Sequence, residues 1–247
     1  MDFSKHIVIV TGSSRGIGKS IAYEFARCGA YVVLNGASDQ NLLKRTYQEF
    51  ITAGFCATFY FGDISDYCCA KEMFIHTYNT FGDYPSIVIN NAGISYVGLF
   101  TDTSPEVWHK IITTNLNSAY NCAYLAAPHM ISRQAGIIIN ISSIWGKSGA
   151  SCEVAYSTSK SALNGFTKSL AKELGPSSIR VNALSCGWID TDMNKHFSQE
   201  DLDNFIEDVP LCRIGTSIDV ANACLFLASD KASYMTGQII NIDGGFL

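Results

Sequence analysis

Seven short runs of this chain are apolar almost without interruption: HIVIVT (6–11), YVVLN (31–35), CATFYF (56–61), SIVIN (86–90), GIIINIS (136–142), IRVNALS (179–185) and QIINI (238–242). Strands covered on both faces read this way, because neither side of the pleat meets water. Between them lie stretches with helical spacing, such as GKSIAYEFARCG and the long SPEVWHKIITTNLNSAYNCAYLAAPHM. Alternation of strand and helix from end to end predicts an α/β fold: one doubly wound, seven-stranded parallel sheet flanked by helices. No repeat, Pro-rich linker or low-complexity segment interrupts it, so residues 1–247 read as a single domain. One segment breaks the rhythm. DTDMNKHFSQEDLDNFIEDVPLCR (190–213) is polar with spaced apolar residues and follows the sixth strand. Ligands of open α/β sheets bind beyond the carboxyl ends of the strands, which makes this excursion a candidate helical substrate lid.

Composition narrows the partners. The 247 residues are 47% hydrophobic and carry a formal charge of -5, which argues against a nucleic-acid surface. No apolar run reaches the length of a membrane span, and no signal peptide is visible in MDFSKHIVIVTG. The nine cysteines show no CxxC and no Cys/His metal spacing, so mostly buried, reduced thiols in a cytoplasmic protein are expected, with no metal site. His6, His76 and His196 form no visible ligand set, His109 and His129 belong to the long helix, and Phe59-Tyr60-Phe61 reads as core strand.

The first strand runs into TGSSRGIGKS, where Gly12, Gly16 and Gly18 sit between a strand and a helix. Glycines there let the backbone approach a pyrophosphate, and the helix offers free amides and its positive dipole end. An acid closing the second strand commonly holds the ribose 2′-hydroxyl of NAD. This strand instead ends Leu34-Asn35-Gly36-Ala37-Ser38, and Asp39 reads as a first-turn helix acid behind a Ser38 N-cap. Arg15 could pair with a 2′-phosphate, so NADP(H) is favoured over NAD(H).

Tyr156 and Lys160 fall four apart on one helical face, with Ser143 upstream at the end of the fifth strand. An ammonium beside a phenol favours the phenolate and is expected to lower the tyrosine pKa toward working pH. Ser143 can hydrogen-bond and polarise a substrate oxygen.

With these motifs in order, the chain resembles the short-chain dehydrogenase/reductases over essentially its full length, which implies a Rossmann fold and nicotinamide-dependent ketone chemistry. TGSSRGIG (11–18) matches the glycine motif, NNAG (90–93) the motif after the fourth strand, Asn115 the active-site Asn, and Ser143, Tyr156 and Lys160 the catalytic set. IDT (189–191) matches the cofactor-contacting stretch, and Asp63 the acid near adenine. The resemblance thus implies a cofactor half of about 1–95 and a catalytic half of about 96–247. It assigns cofactor contact to Gly12, Ser14, Arg15, Gly16, Ile17, Gly18, Asp63, Ile64, Asn91, Ala92, Gly93, Gly187, Ile189 and Thr191, besides Tyr156 and Lys160. It also implies that Asn115 holds a water against Lys160 and that the protein is a homotetramer. Cys186-Gly187 stands where the family usually has Pro-Gly.

For the substrate, the broad resemblance is to 3-oxoacyl-carrier-protein reductases, with the short closing NIDGGFL. Many of these carry arginines where this chain has Gln134 and Ser177, with Arg133 and Arg180 offset. SSIWG and GASCEV are locally similar to reductases of a 5-aminopentanone group on elongation factor P. Such a ketone carries a cationic amine, which Glu153 could receive, unless Glu153 is simply a first-turn helix acid. Trp145 and Trp188 could line the pocket or pack behind it. A small-ketone or hydroxysteroid dehydrogenase and a non-catalytic dinucleotide sensor are further alternatives. A sensor would not need Asn115, Ser143, Tyr156 and Lys160 together.

Overall fold

A computed structural model describes residues 1–194 and 198–247. His196 and part of the 190–213 lid therefore lie outside the described residues. The seven strands form at the expected places: β1 (Ile7–Val10), β2 (Tyr31–Gly36), β3 (Ala57–Phe61), β4 (Ile87–Asn90), β5 (Gly136–Ser143), β6 (Ile179–Cys186) and β7 (Ile239–Ile242). All pair in parallel, in the order β3-β2-β1-β4-β5-β6-β7. The helices are α1 (Gly16–Arg27), α2 (Gln40–Thr52), α3 (Tyr67–Phe81), α4 (Pro105–Ile112), α5 (Ser118–Arg133), α6 (Trp145–Ser148), α7 (Val154–Leu174), α8 (Gln199–Glu207) and α9 (Ser217–Ala228).

The continuous apolar runs are explained by two cores. Val8, Val10, Val32 and Leu34 face α1, α2 and α9 through Ile21, Phe25, Leu43, Phe50 and Val220. Their neighbours Ile7, Ile9 and Val33 face α3, α5 and α7 through Met73, Phe74, Met130 and Leu174. Each strand must be apolar at successive positions because both faces are covered. β3 departs from this. It is the edge strand and its residues are only partly buried: Phe59 and Tyr60 pack against the two cores, while Phe61 is exposed.

The direction of winding reverses between β1 and β4, so the loops leaving these two strands frame a crevice. Two local expectations change. Asp39, not Ser38, is the N-cap of α2, and its carboxylate accepts from the Leu42 amide at 2.9 Å. The long helix divides: α4 gives way to a π-turn at Thr113–Asn117 before α5 resumes. The thiols are also less buried than expected, since Cys56, Cys68 and Cys212 are exposed, Cys28, Cys69 and Cys152 half-buried, and Cys122, Cys186 and Cys224 buried.

Candidate active site

The β1–α1 and β4 loops interlock at the point where the winding reverses. The Asn91 side chain donates to the Thr11 and Gly12 carbonyls at 2.8 and 3.0 Å, and the Thr11 hydroxyl accepts from the amides of Asn91 and Ala92. This closeness dictates two glycines. A Cβ on Gly18 would lie 2.4 Å from both the Gly12 carbonyl and the Asn91 amide, and one on Gly12, at φ +61°, would lie 2.9 Å from the Ala92 Cα. Arg15 begins α1 without a side-chain cap, and no acid sits in the first turn. The amides of that turn are left open to an anion.

A cavity of about 630 Å³ runs along this cradle, lined by Gly12, Ser14, Arg15, Gly16, Ile17, Gly18, Asp63, Ile64, Asn91, Ala92, Gly93 and Thr191 among others. Its backbone donors and glycine clearances fit a dinucleotide. Asn91 serves the loop as a cross-link as well as lining the cavity. At the β2 end, Ala37 and Ser38 line the cavity, whereas Asp39 is engaged as a helix cap. Asn35 bonds inward to the carbonyls of Tyr60 and Gly62. Arg15 is exposed and lies 3.9 Å from Asp192.

A second cavity of about 510 Å³ adjoins the first through Ile17, Asn91, Gly93, Ser95, Val97, Thr191 and Met193, which line both. Ser143, Tyr156 and Lys160 line this second cavity, together with Gly187 and Ile189. Lys160 is only 4% exposed, and its ammonium lies 5.6 Å from the Tyr156 ring centre while donating to the Ile141 carbonyl at 2.8 Å. Burial lowers the Lys160 pKa to about 8. The expected lowering of the Tyr156 pKa is not what the structure gives. Burial pushes the phenol up; a hydrogen bond with Ser143 pulls it down without cancelling that, and the charge of Glu153 adds to the rise. The phenol in this pocket is therefore held in its neutral form.

Asn115 lies in the π-turn, buried. Its amide donates to the Ile94 carbonyl and the Ser159 hydroxyl, both at 2.9 Å, and its carbonyl accepts from the Ile94 amide at 2.8 Å. The π-turn widens the helix so that this side chain reaches across to the β4 loop. A Cβ on Gly93 would stand 3.3 Å from the Asn115 Oδ1 and 3.4 Å from the Lys160 ammonium. Both groups therefore address one gap, which the absent side chain leaves open.

Trp145, Glu153 and Trp188 all line the second cavity. Glu153 occupies the N-cap position of α7, yet its side chain makes no cap bond, so it is not the first-turn acid considered from sequence. Burial raises its pKa. Sequence reasoning singled out Trp145 and Trp188 but missed Phe205 and Phe246, which join them into one aromatic wall. The Trp188 ring meets Phe205 of α8 at 5.2 Å, Phe205 stacks on Phe246 at 4.8 Å, and Phe246 meets Trp145 edge-on at 5.9 Å. Four rings from four distant segments carry no common sequence signal.

The family model described as enoyl-(acyl carrier protein) reductase, adh_short_C2, matches residues 12–247. The 3-oxoacyl-[acyl-carrier-protein] reductase FabG of Chlamydia trachomatis is 41% identical over 243 residues, covering 96% of this chain and 95% of that protein. FabG of Staphylococcus aureus is 37% identical over 237 residues, covering 96% of each. A crystal structure of a provisionally named gluconate dehydrogenase from Agrobacterium tumefaciens superposes with a TM-score of 0.95 at 31% identity, covering 99% of this chain and 97% of the other. The glycine cradle, the Ser143–Tyr156–Lys160 pocket and these relationships agree: the chain belongs to the short-chain dehydrogenase/reductases, a family of nicotinamide-dependent oxidoreductases.

Proposed function

We propose that this protein reduces a ketone to a secondary alcohol with NADPH, Tyr156 being the proton donor. The observation that carries this is the second cavity, where Ser143, Tyr156 and Lys160 line a space that adjoins the glycine cradle through Gly93 and its neighbours. The bound dinucleotide would supply hydride to the carbonyl carbon. Ser143 donates a hydrogen bond to the ketone oxygen and polarises it. Tyr156 delivers its proton to that oxygen, and the Lys160 ammonium stabilises the phenolate that forms. Asn115 and Lys160 hold a water in the gap at Gly93, through which the phenol is reprotonated. NADPH is favoured because Arg15 lines the cradle, its ion pair with Asp192 being long and exposed, and no carboxylate closes β2, Asp39 being held by the Leu42 amide.

The relatives' names make a 3-oxoacyl group on a carrier protein the leading substrate. Arg133 and Arg180 do not add to that case. Arg133 pairs with Asp83 and the Tyr84 carbonyl, and Arg180 donates to the carbonyls of Leu227 and Ser229. A second substrate is favoured by Glu153: a carboxylate without a cap bond, desolvated among aromatic rings, suits a cationic amino-ketone such as the 5-aminopentanone group on elongation factor P.

Oxidation of NADPH and NADH is to be followed with an acetoacetyl thioester and with the modified factor side by side. Turnover of either ketone with NADPH preferred is expected; turnover of neither rejects ketone reduction here. Glu153→Gln should raise KM about tenfold for the amino-ketone alone, the size of one charge-assisted hydrogen bond. An equal rise for a neutral ketone would reject the ion pair.

A further inference from the structure

The segment Asn241–Leu247 is the seam between α8 and the catalytic loop. Its turn is built by Gly244 at φ +68° and Gly245 at φ +93°, conformations that favour glycine. Asp243 fixes the turn: one carboxylate oxygen accepts from the Gly245 amide at 3.0 Å, the other from the Leu247 amide at 3.3 Å and the Asn241 side chain at 2.9 Å. The turn lies directly on the chain leaving α8. A Cβ on Gly244 would be 2.6 Å from Val209, one on Gly245 3.1 Å from Pro210, and the Leu211 amide donates to the Gly244 carbonyl at 3.2 Å. On its other side the segment meets the active-site loops. The Gly187 amide donates to the Ile242 carbonyl at 2.9 Å, and Lys147 of α6 bonds the Ile239 carbonyl and the Asn241 side chain.

Phe246 is held out of this turn and sits between Phe205 of α8 and Trp145 of α6. Those two residues line the substrate cavity, whereas Phe246 is not among its lining residues. We propose that Phe246 is a positioning residue that clamps α8 against the Trp145 loop and so sets the affinity of this site for its ketone. It acts through Phe205 and Trp145 and touches no reacting atom. α8 has little support of its own: none of its residues is buried. Its position therefore depends on such contacts.

This inference rests on ketone reduction at the site for one of its two readouts only. Phe246→Ala should raise KM for the ketone about tenfold with kcat within about twofold, two aromatic contacts being lost. In the absence of any substrate, cleavage after Glu200 or Glu207 by a glutamyl endopeptidase should be several-fold faster than in the wild type. Phe246→Trp should restore both. An unchanged KM in an active Phe246→Ala variant, or a KM that Phe246→Trp fails to recover, would overturn the clamp. If neither protein reduces a ketone, the reduction proposal falls, and unchanged proteolysis would then reject the clamp separately.

Discussion

Replacing Tyr156 by Phe is expected to lower kcat for ketone reduction about a thousandfold, within the range for loss of a positioned general acid. The substitution removes one oxygen and leaves the ring against Lys160, so the pocket keeps its shape. Dinucleotide affinity, read by fluorescence titration, should stay within about twofold, because the glycine cradle is untouched. The electrostatics of the pocket support the proposed role of the phenol as donor. Burial holds it neutral above its ordinary pKa, and Ser143 hydrogen-bonds its oxygen. A phenolate would suit the oxidising direction; a neutral phenol suits the proposed reduction. Retention of more than about a tenth of wild-type kcat in Tyr156→Phe would move the proton donor elsewhere.

The parts of this site that sequence revealed are those that local chemistry forces. Glycine at 12 and 18 is required because a Cβ would strike a neighbouring backbone, and the apolar strands are continuous because α1, α2 and α9 cover one face and α3, α5 and α7 the other. What sequence hid arises from tertiary geometry. The π-turn at Thr113–Asn117 has no Gly or Pro to mark it, so the helical pattern reads straight through. Asp39 and Ser38 are both good caps, and only the backbone decides between them. The Tyr156 pKa was misjudged because spacing shows Lys160 but not burial, and burial outweighs every other influence on both groups. Phe205 and Phe246 meet only because the Gly244–Gly245 turn brings the chain back across the mouth of the sheet.

Replacing Lys160 by Met should lower kcat/KM by about a hundredfold or more, and should separate catalysis from folding through pH. Burial depresses the pKa of the ammonium from 10.5 to about 8. The wild-type kcat/KM for reduction should therefore fall as pH rises through about 8, where the cation beside Tyr156 is lost, and the variant should lack that inflection. The stability effect has the opposite sign. Between about 8 and 10.5 the unfolded chain holds a proton on Lys160 that the folded chain has released, so folding grows more favourable with pH in this window. Below it, the buried ammonium is a full penalty, offset in part by its bond to the Ile141 carbonyl. The Tm of Lys160→Met relative to wild type should accordingly be highest at pH 7 and decline toward pH 10. A difference that stays flat across this range would mean that Lys160 titrates as it would in water, and the buried ammonium would lose its place beside Tyr156 in the proton transfer.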